Sequence, residues 1–383
     1  MSRVHRGGGH WQRMEENVTA AAQPTVVDRA AGCLLAGAMG DSLGAPVEFS
    51  RLAEIRQAYG PDGIVELPKP GLITDDTQLT LFTAEGYISA WVRGKHLQTW
   101  NPAQEVWKAY RRWLSTQQGR GPGDNPYGLL AERRLYANRS PGLATLRALA
   151  HEQPPTDDIQ YETANGCGGV VRTAPAGFAP TGELAYRMGC QFAALTHGHP
   201  EGWAPAGSLA LLVHLLAVRR RTLSDAVDQV TGRVLRDDPT TASLLAAAVK
   251  AAERDNEDAR AAREARAFGK PPHTGGPSAD SIAELGAGWI APETLAIAVY
   301  SALTHRKSAQ FPDALRLAAN HSGDSDSTAA LTGNILGALH GTAVLPKPWL
   351  ARLELADVIA DIGYDLGATC AGEEFEEGRY LVA

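Results

Sequence analysis

Two short acidic stretches carry the residue types that could do chemistry. Gly323-Asp324-Ser325-Asp326-Ser327-Thr328 sets carboxylates at i and i+2 among hydroxyls, and Thr74-Asp75-Asp76-Thr77 has the same make-up far earlier in the chain. Each runs straight into an apolar pattern of helical spacing: Leu331, Ile335, Leu336 and Leu339 after one, Leu79, Leu81 and Phe82 after the other. Both loops are therefore expected at helix N-termini, where the dipole favours a carboxylate by about 0.3–1 kcal/mol and Asp76 or Thr77 can cap. Capping accounts for one acid of a loop, two at most, and leaves the matching second loop unexplained. Paired carboxylates at the rim of a core repel each other unless a cation or a proton relieves them. Carboxylate and Thr/Ser oxygens, without a Cys or His cluster, are hard ligands suited to Mg²⁺, Mn²⁺ or Ca²⁺ over zinc. An EF-hand is excluded: counted from Asp324, the sixth position is Ala329 and the twelfth is Ile335. The expectation is one hard-cation site shared by the two loops.

The elements that must position these residues read as helices. Ala/Leu-rich periodic segments recur, β-branched runs are scarce, and only 7% of the 383 residues are aromatic, which together predict an all-α protein packed through small side chains. Val26 to Gly40 is the first strong helix, followed by a loop from Gly40 through Pro46 to Phe49 with Asp41 and Glu48 near its ends. Glu48 on such a Gly/Pro loop could swing into a site; alone, it reads more simply as a solvated loop glutamate. Asn165-Gly166-Cys167-Gly168-Gly169-Val170-Val171-Arg172 fails the dinucleotide fingerprint, because the third glycine position holds Val171. Its glycines would still let backbone N–H groups approach an anion, so a diphosphate cradle and a tight structural turn stand level. His197 and His199 lack a third ligand for zinc, which makes His197 a pocket-lining or core residue. Trp289, beside glycines and ahead of a helix near Pro292, is a stacking platform or plain core. Glu253 to Ser281 reads as a frayed helix end and exposed loop, and Trp349 to Gly367 as one closing amphipathic helix.

Composition excludes several classes. Net charge is −7 with no basic stripe, which argues against nucleic acid as a generic partner. Four scattered cysteines without CxxC spacing argue against structural zinc and a disulfide framework, and fit a reducing cytoplasm. No secretory signal precedes the first helix, and the most apolar run, Ala204 to Val218, is too short to span a bilayer, so no membrane role is expected. Residues 1–24 read as a flexible tail, 25–370 as one domain and 371–383 as an acidic C-terminal tail.

Gly40-Asp41-Ser42-Leu43-Gly44 with Glu48, then Thr74-Asp75-Asp76-Thr77, then Gly323-Asp324-Ser325-Asp326-Ser327-Thr328, resemble the motifs of the ADP-ribosylglycohydrolases, the group of dinitrogenase-reductase-activating glycohydrolase. The likeness runs over roughly residues 26 to 367 in the family's order, with Asn165-Gly166, Arg172, Thr196-His197 and Asn320 included. It implies a single compact orthogonal helical domain holding two Mg²⁺ (or Mn²⁺) ions. By resemblance the ligands are Thr74, Asp75, Asp76, Asp324, Asp326 and Ser327, with Asp75, Asp326 and the mobile-loop Glu48 catalytic. Asn165, Gly166, Cys167, Gly168 and Gly169 would hold ribose and diphosphate, with His197 nearby and Trp289 on the adenine side. Ser327 stands where some members have Thr, and the glycine loop is longer than in some. The implied activity is hydrolysis of the C1″ bond between ADP-ribose and a protein side chain, with free ADP-ribose released. Two alternatives stay open: a metal-dependent phosphohydrolase of nucleotide diphosphates, and a binding or immunity protein whose N-terminal tail neutralises an ADP-ribosyltransferase.

Overall fold

A computed structural model describes residues 23–381, apart from 120, 124–125, 157–160, 162 and 269–274. The N-terminal tail expected over residues 1–24 lies almost wholly outside the described residues. Helices of seven residues or more are, in chain order, α1 (Val26–Gly44), α2 (Leu52–Tyr59), α3 (Asp75–Leu97), α4 (Pro102–Gln117), α5 (Leu143–Leu149), α6 (Gly182–Ala194) and α7 (Pro200–Ala217). They continue with α8 (Leu223–Val234), α9 (Pro239–Ala267), α10 (Ala291–Thr304), α11 (Phe311–Ala319), α12 (Ser325–His340) and α13 (Ala356–Ala371). No strand occurs among the described residues, only two isolated bridges, so the all-α expectation holds. No described helix is long and apolar enough to cross a membrane.

Helix α1 is the axis, buried at every residue from Arg29 to Gly44. It lies along α12 on one side and α13 on another. Its contact with α12 is a seam of small residues at which the backbones nearly touch. A Cβ on Gly40 would stand 2.0 Å from the Ala329 carbonyl oxygen, and one on Gly333 2.0 Å from that of Ala36. This explains a departure from the sequence expectation. Gly40 was expected to end α1, yet the helix runs on to Gly44, because the missing Cβ serves close approach and not a turn. Pro46 then limits the continuation to a short 3₁₀ turn over Ala45–Val47. Arg29, buried near the far end of the seam, donates to the carbonyls of Ala338 (2.9 Å) and Leu339 in the last turn of α12.

Two further boundaries differ from expectation. The closing helix is broken: a turn at Lys347–Leu350 is followed by Leu355 in the left-handed region (φ 59°), and α13 starts only at Ala356. Tertiary pairing causes the break, for Gly71 N–H donates to Arg352 O (3.0 Å) and Glu354 N–H to Gly71 O (2.8 Å). The Glu354 carboxylate then accepts from Ile73 N–H at 3.1 Å, so the break fixes the lead-in to Thr74. Past Glu253, where fraying was expected, α9 stays regular to Ala267. The acidic C-terminal segment lies back on the helices: Glu377 pairs with Lys95 (2.6 Å), and the buried Tyr380 hydroxyl donates to Asp365 (2.6 Å).

Candidate metal centre and the adjoining glycine turn

The two acidic loops, far apart in sequence, open neighbouring helices. In the earlier loop the cap is Thr74, whose Oγ1 accepts from Asp76 N–H at 3.2 Å, in place of the expected Asp76 or Thr77. Both carboxylates of α3's first turn are thereby left free of capping duty. In the later loop Asp324 is itself the cap, accepting from Ser327 N–H at 3.3 Å; Asp326, two residues C-terminal to it, is not the cap, although its Oδ1 also accepts from Ser327 N–H at 2.8 Å. A direct bond joins the loops: Ser327 Oγ donates to Asp76 Oδ2 at 2.8 Å.

Glu48, at the end of the 3₁₀ turn after α1, completes the cluster. One carboxylate oxygen each from Glu48, Asp324 and Asp326 lie within 4.8 Å of one another. Asp76, Asp324 and Asp326 are buried, and Glu48 and Asp75 are half-buried. Burial first, and then like charge, drives protons onto the whole group. Glu48 is pushed up to about 8 by burial together with Asp324, Asp75 and Asp41, and Asp75 is pushed up to about 7, mainly by burial. Asp76 and Asp326 are likewise held well above the usual carboxylate range, by burial first and then by their carboxylate neighbours. Carboxylates so crowded are stable as anions only beside a positive charge. The residues present fit a hard divalent cation: the converging donors are carboxylate and hydroxyl oxygens.

Asp41 was missed as a functional residue, although its motif was noted. Fully buried on the last turn of α1, it accepts from Thr74 N–H (3.0 Å), Thr77 N–H (3.3 Å) and Thr77 Oγ1. It thus holds the start of α3 against α1, and the signal available was an aspartate inside a helical Gly-x-x-x-Gly stretch. The Gly323–Thr328 loop is held from the other side, where Asp324 N–H donates to Ala287 O at 2.9 Å.

Beside this cluster, Cys167–Gly169 forms a 3₁₀ turn, capped by Gly166 and closed against the segment before α10: Cys167 N–H donates to Trp289 O (3.2 Å) and Ala291 N–H to Asn165 O (2.9 Å). Asn165 Nδ2 donates to Glu201 at 2.9 Å. The Cys167 thiol reaches Asp324, and burial pushes it up. His197 is buried under the turn, close enough that a Cβ on Gly169 would meet its Cβ at 3.1 Å. Trp289, 40% exposed, stacks on Phe49 with ring centroids 5.7 Å apart and planes 14° from parallel. Phe49 was not anticipated; it follows Glu48, so the glutamate loop and the Trp289 segment meet through this pair. The turn meets the carboxylate cluster through Cys167 and Asp324, and of the expected oxygen ligands Asp76, Asp324, Asp326 and Ser327 are brought together there.

An all-α chain whose acidic helix starts converge beside a glycine turn defines a class of helical proteins with a carboxylate-rich site. The model of the family described as ADP-ribosylglycohydrolase matches residues 22–375, and the chain belongs to that family. It is 28% identical over 343 residues to the ADP-ribosyl-[dinitrogen reductase] glycohydrolase of Rhodospirillum rubrum, covering 87% of this chain and 92% of that one. A local stretch of 65 residues, 17% of this chain and 18% of the relative, is 45% identical to the ADP-ribosylarginine hydrolase Tri1 of Serratia proteamaculans (strain 568). Among solved structures, an ADP-ribosylglycohydrolase-related protein complex matches with TM-score 0.58 and 23% identity, over 90% of this chain and 99% of that one, which shows the shared fold.

Proposed function

We propose that this protein is a metal-dependent hydrolase that removes ADP-ribose from modified protein side chains by cleaving the bond at C1″. The observation that carries the reading is the convergence of Glu48, Asp324 and Asp326 oxygens within 4.8 Å, beside a turn with glycines at 166, 168 and 169. Thr74, Asp75, Asp76, Asp324, Asp326 and Ser327 would hold two Mg²⁺ or Mn²⁺ ions. When bound, such ions would supply Lewis-acid charge that draws in the ribose hydroxyls and so fixes the anomeric carbon for cleavage. Gly166 to Gly169 seat the diphosphate through backbone N–H groups, and Trp289 covers the adenine side. Glu48, on the element outside the helices and only half-buried, is the carboxylate best able to exchange a proton with the reacting water or the departing group. In the balanced reaction, water adds hydroxyl to C1″, the C1″–N or C1″–O bond breaks, and the water's proton leaves on the released side chain. The names of the two relatives support a protein acceptor, and that of the arginine hydrolase puts arginine first among linkages.

The test is ADP-ribose release from arginine- and serine-linked substrates with Mg²⁺ or Mn²⁺, with EDTA, and for Asp326→Ala. The reading expects intact ADP-ribose from wild type with metal, and loss under chelation or substitution. Undiminished release by the chelated enzyme excludes the metal mechanism; phosphate or AMP as product supports the phosphohydrolase instead.

A further inference from the structure

Under the glycine turn runs a chain of three polar side chains, all buried: Arg172, Thr196 and His197. Arg172 is wholly buried with no carboxylate hydrogen-bonded to it among its bonds to Thr145 and Thr196; its guanidinium also lies 4.6 Å from the Tyr110 ring centre. Its Nη1 donates to Thr145 Oγ1 at 3.2 Å and its Nη2 to Thr196 Oγ1. Thr196 Oγ1 is in turn 2.8 Å from His197 Nδ1.

Proton counting fixes the direction of this chain. A guanidinium only donates, so Thr196 Oγ1 must accept from Arg172. Were His197 Nδ1 protonated, Oγ1 would receive two N–H groups and its own hydroxyl proton would be buried without an acceptor, at a cost of about 1–3 kcal/mol. Thr196 O–H therefore donates to Nδ1, and the ring proton sits on Nε2. That nitrogen faces the turn: a Cβ on Gly168 would be 3.6 Å from it and one on Gly166 3.9 Å. Burial first, then the Arg172 charge, pull His197 down to about 3, so the ring is neutral.

We propose that Arg172, acting through Thr196, is a positioning residue that locks His197 as the Nε2–H tautomer, making it a fixed neutral donor to an oxygen of a ligand seated on the glycine turn. The proton need not be found on binding, and a neutral donor avoids an extra buried cation beside Arg172. The ligand half of this inference rests on reading that turn as the diphosphate and ribose seat; the tautomer half stands without it.

The experiment is long-range ¹H–¹⁵N correlation spectroscopy of the full chain labelled at histidine, with His197 assigned from the His197→Gln spectrum. Wild type should show a protonated Nε2 and a bare Nδ1 from pH 5 to 8. Thr196→Val keeps the shape and removes the relay, so the proton should redistribute between the nitrogens and ADP-ribose should bind roughly tenfold more weakly; Thr196→Ser should restore both. A wild-type spectrum with the proton on Nδ1 overturns the proposal, as does Thr196→Val with an unchanged tautomer. Should ADP-ribose not bind wild type at all while the tautomer is as stated, the reading of the turn fails and the relay survives.

Discussion

The two acidic helix starts look alike in sequence and work differently. At α3 a hydroxyl, Thr74 Oγ1, caps the helix, and Asp75 and Asp76 both remain available. At α12 the cap is a carboxylate, Asp324, which also contributes an oxygen to the cluster with Glu48 and Asp326. The α3 start is held by an outside anion, Asp41; the α12 start is held by its own backbone and by Ala287. Helix capping is thus a sufficient explanation for one of four acids. The surplus is what a hard cation would use.

The comparison can be broken most forcefully on the spare acids. Asp326→Ala should lower turnover by about three orders of magnitude, several kcal/mol of lost transition-state stabilisation, whereas the same change at the capping Asp324 should also lower the melting temperature. Equal loss of stability in both variants would erase the distinction.

Next in size is Asp41→Asn. Replacing a buried anionic acceptor that takes two N–H groups and a hydroxyl should destabilise the fold by about 2–3 kcal/mol and weaken cation binding some 10–100-fold, read by chemical denaturation and Mn²⁺ titration. Unchanged cation affinity would mean that Asp41 anchors α3 without orienting the site.

A smaller effect separates the ends of the α1–α12 seam. Gly44→Ala would put a Cβ 2.3 Å from Ser325 O, beside the cluster, and Gly333→Ala 2.0 Å from Ala36 O, farther along. Each should cost about 1–3 kcal/mol of stability, but Gly44→Ala alone should reduce cation affinity.

Finer still is the pH dependence of the cation-free protein. Glu48 and Asp75 titrate near 8 and 7 in the folded chain against ordinary values of 4.5 and 3.8, so between those limits the folded state binds more protons than the unfolded. Their contribution to stability is complete below about pH 4 and is lost as pH rises to about 8. Melting curves in EDTA should fall across that window, and saturating Mn²⁺ should flatten the fall. A cation-free protein that gains stability from pH 5 to 8 would contradict the crowding.

Much of this was legible before any coordinates. Leu79, Leu81 and Phe82, or Leu331, Ile335 and Leu336, announce helices because burial of one face imposes a 3.6-residue period. The acidic loops announce themselves because carboxylates beside a core are rare without purpose. What stayed hidden depends on partners remote in sequence. Gly40 reads as a stop locally and becomes a contact only when Ala329 is beside it. Leu355 breaks a regular amphipathic pattern because Gly71 claims its neighbours' hydrogen bonds. Arg172 looks like loop charge until Thr145, Thr196 and Tyr110 enclose it.

The most direct measurement is calorimetric or EPR titration of Mn²⁺ into the metal-stripped full chain, for wild type, Asp76→Asn and Asp326→Asn. Two sites in wild type, with binding weakened at least tenfold by a substitution on either helix start and little further by both together, is the predicted result. Normal binding by either single variant would mean that the starts of α3 and α12 do not share a cation, and the account built on their meeting would fall.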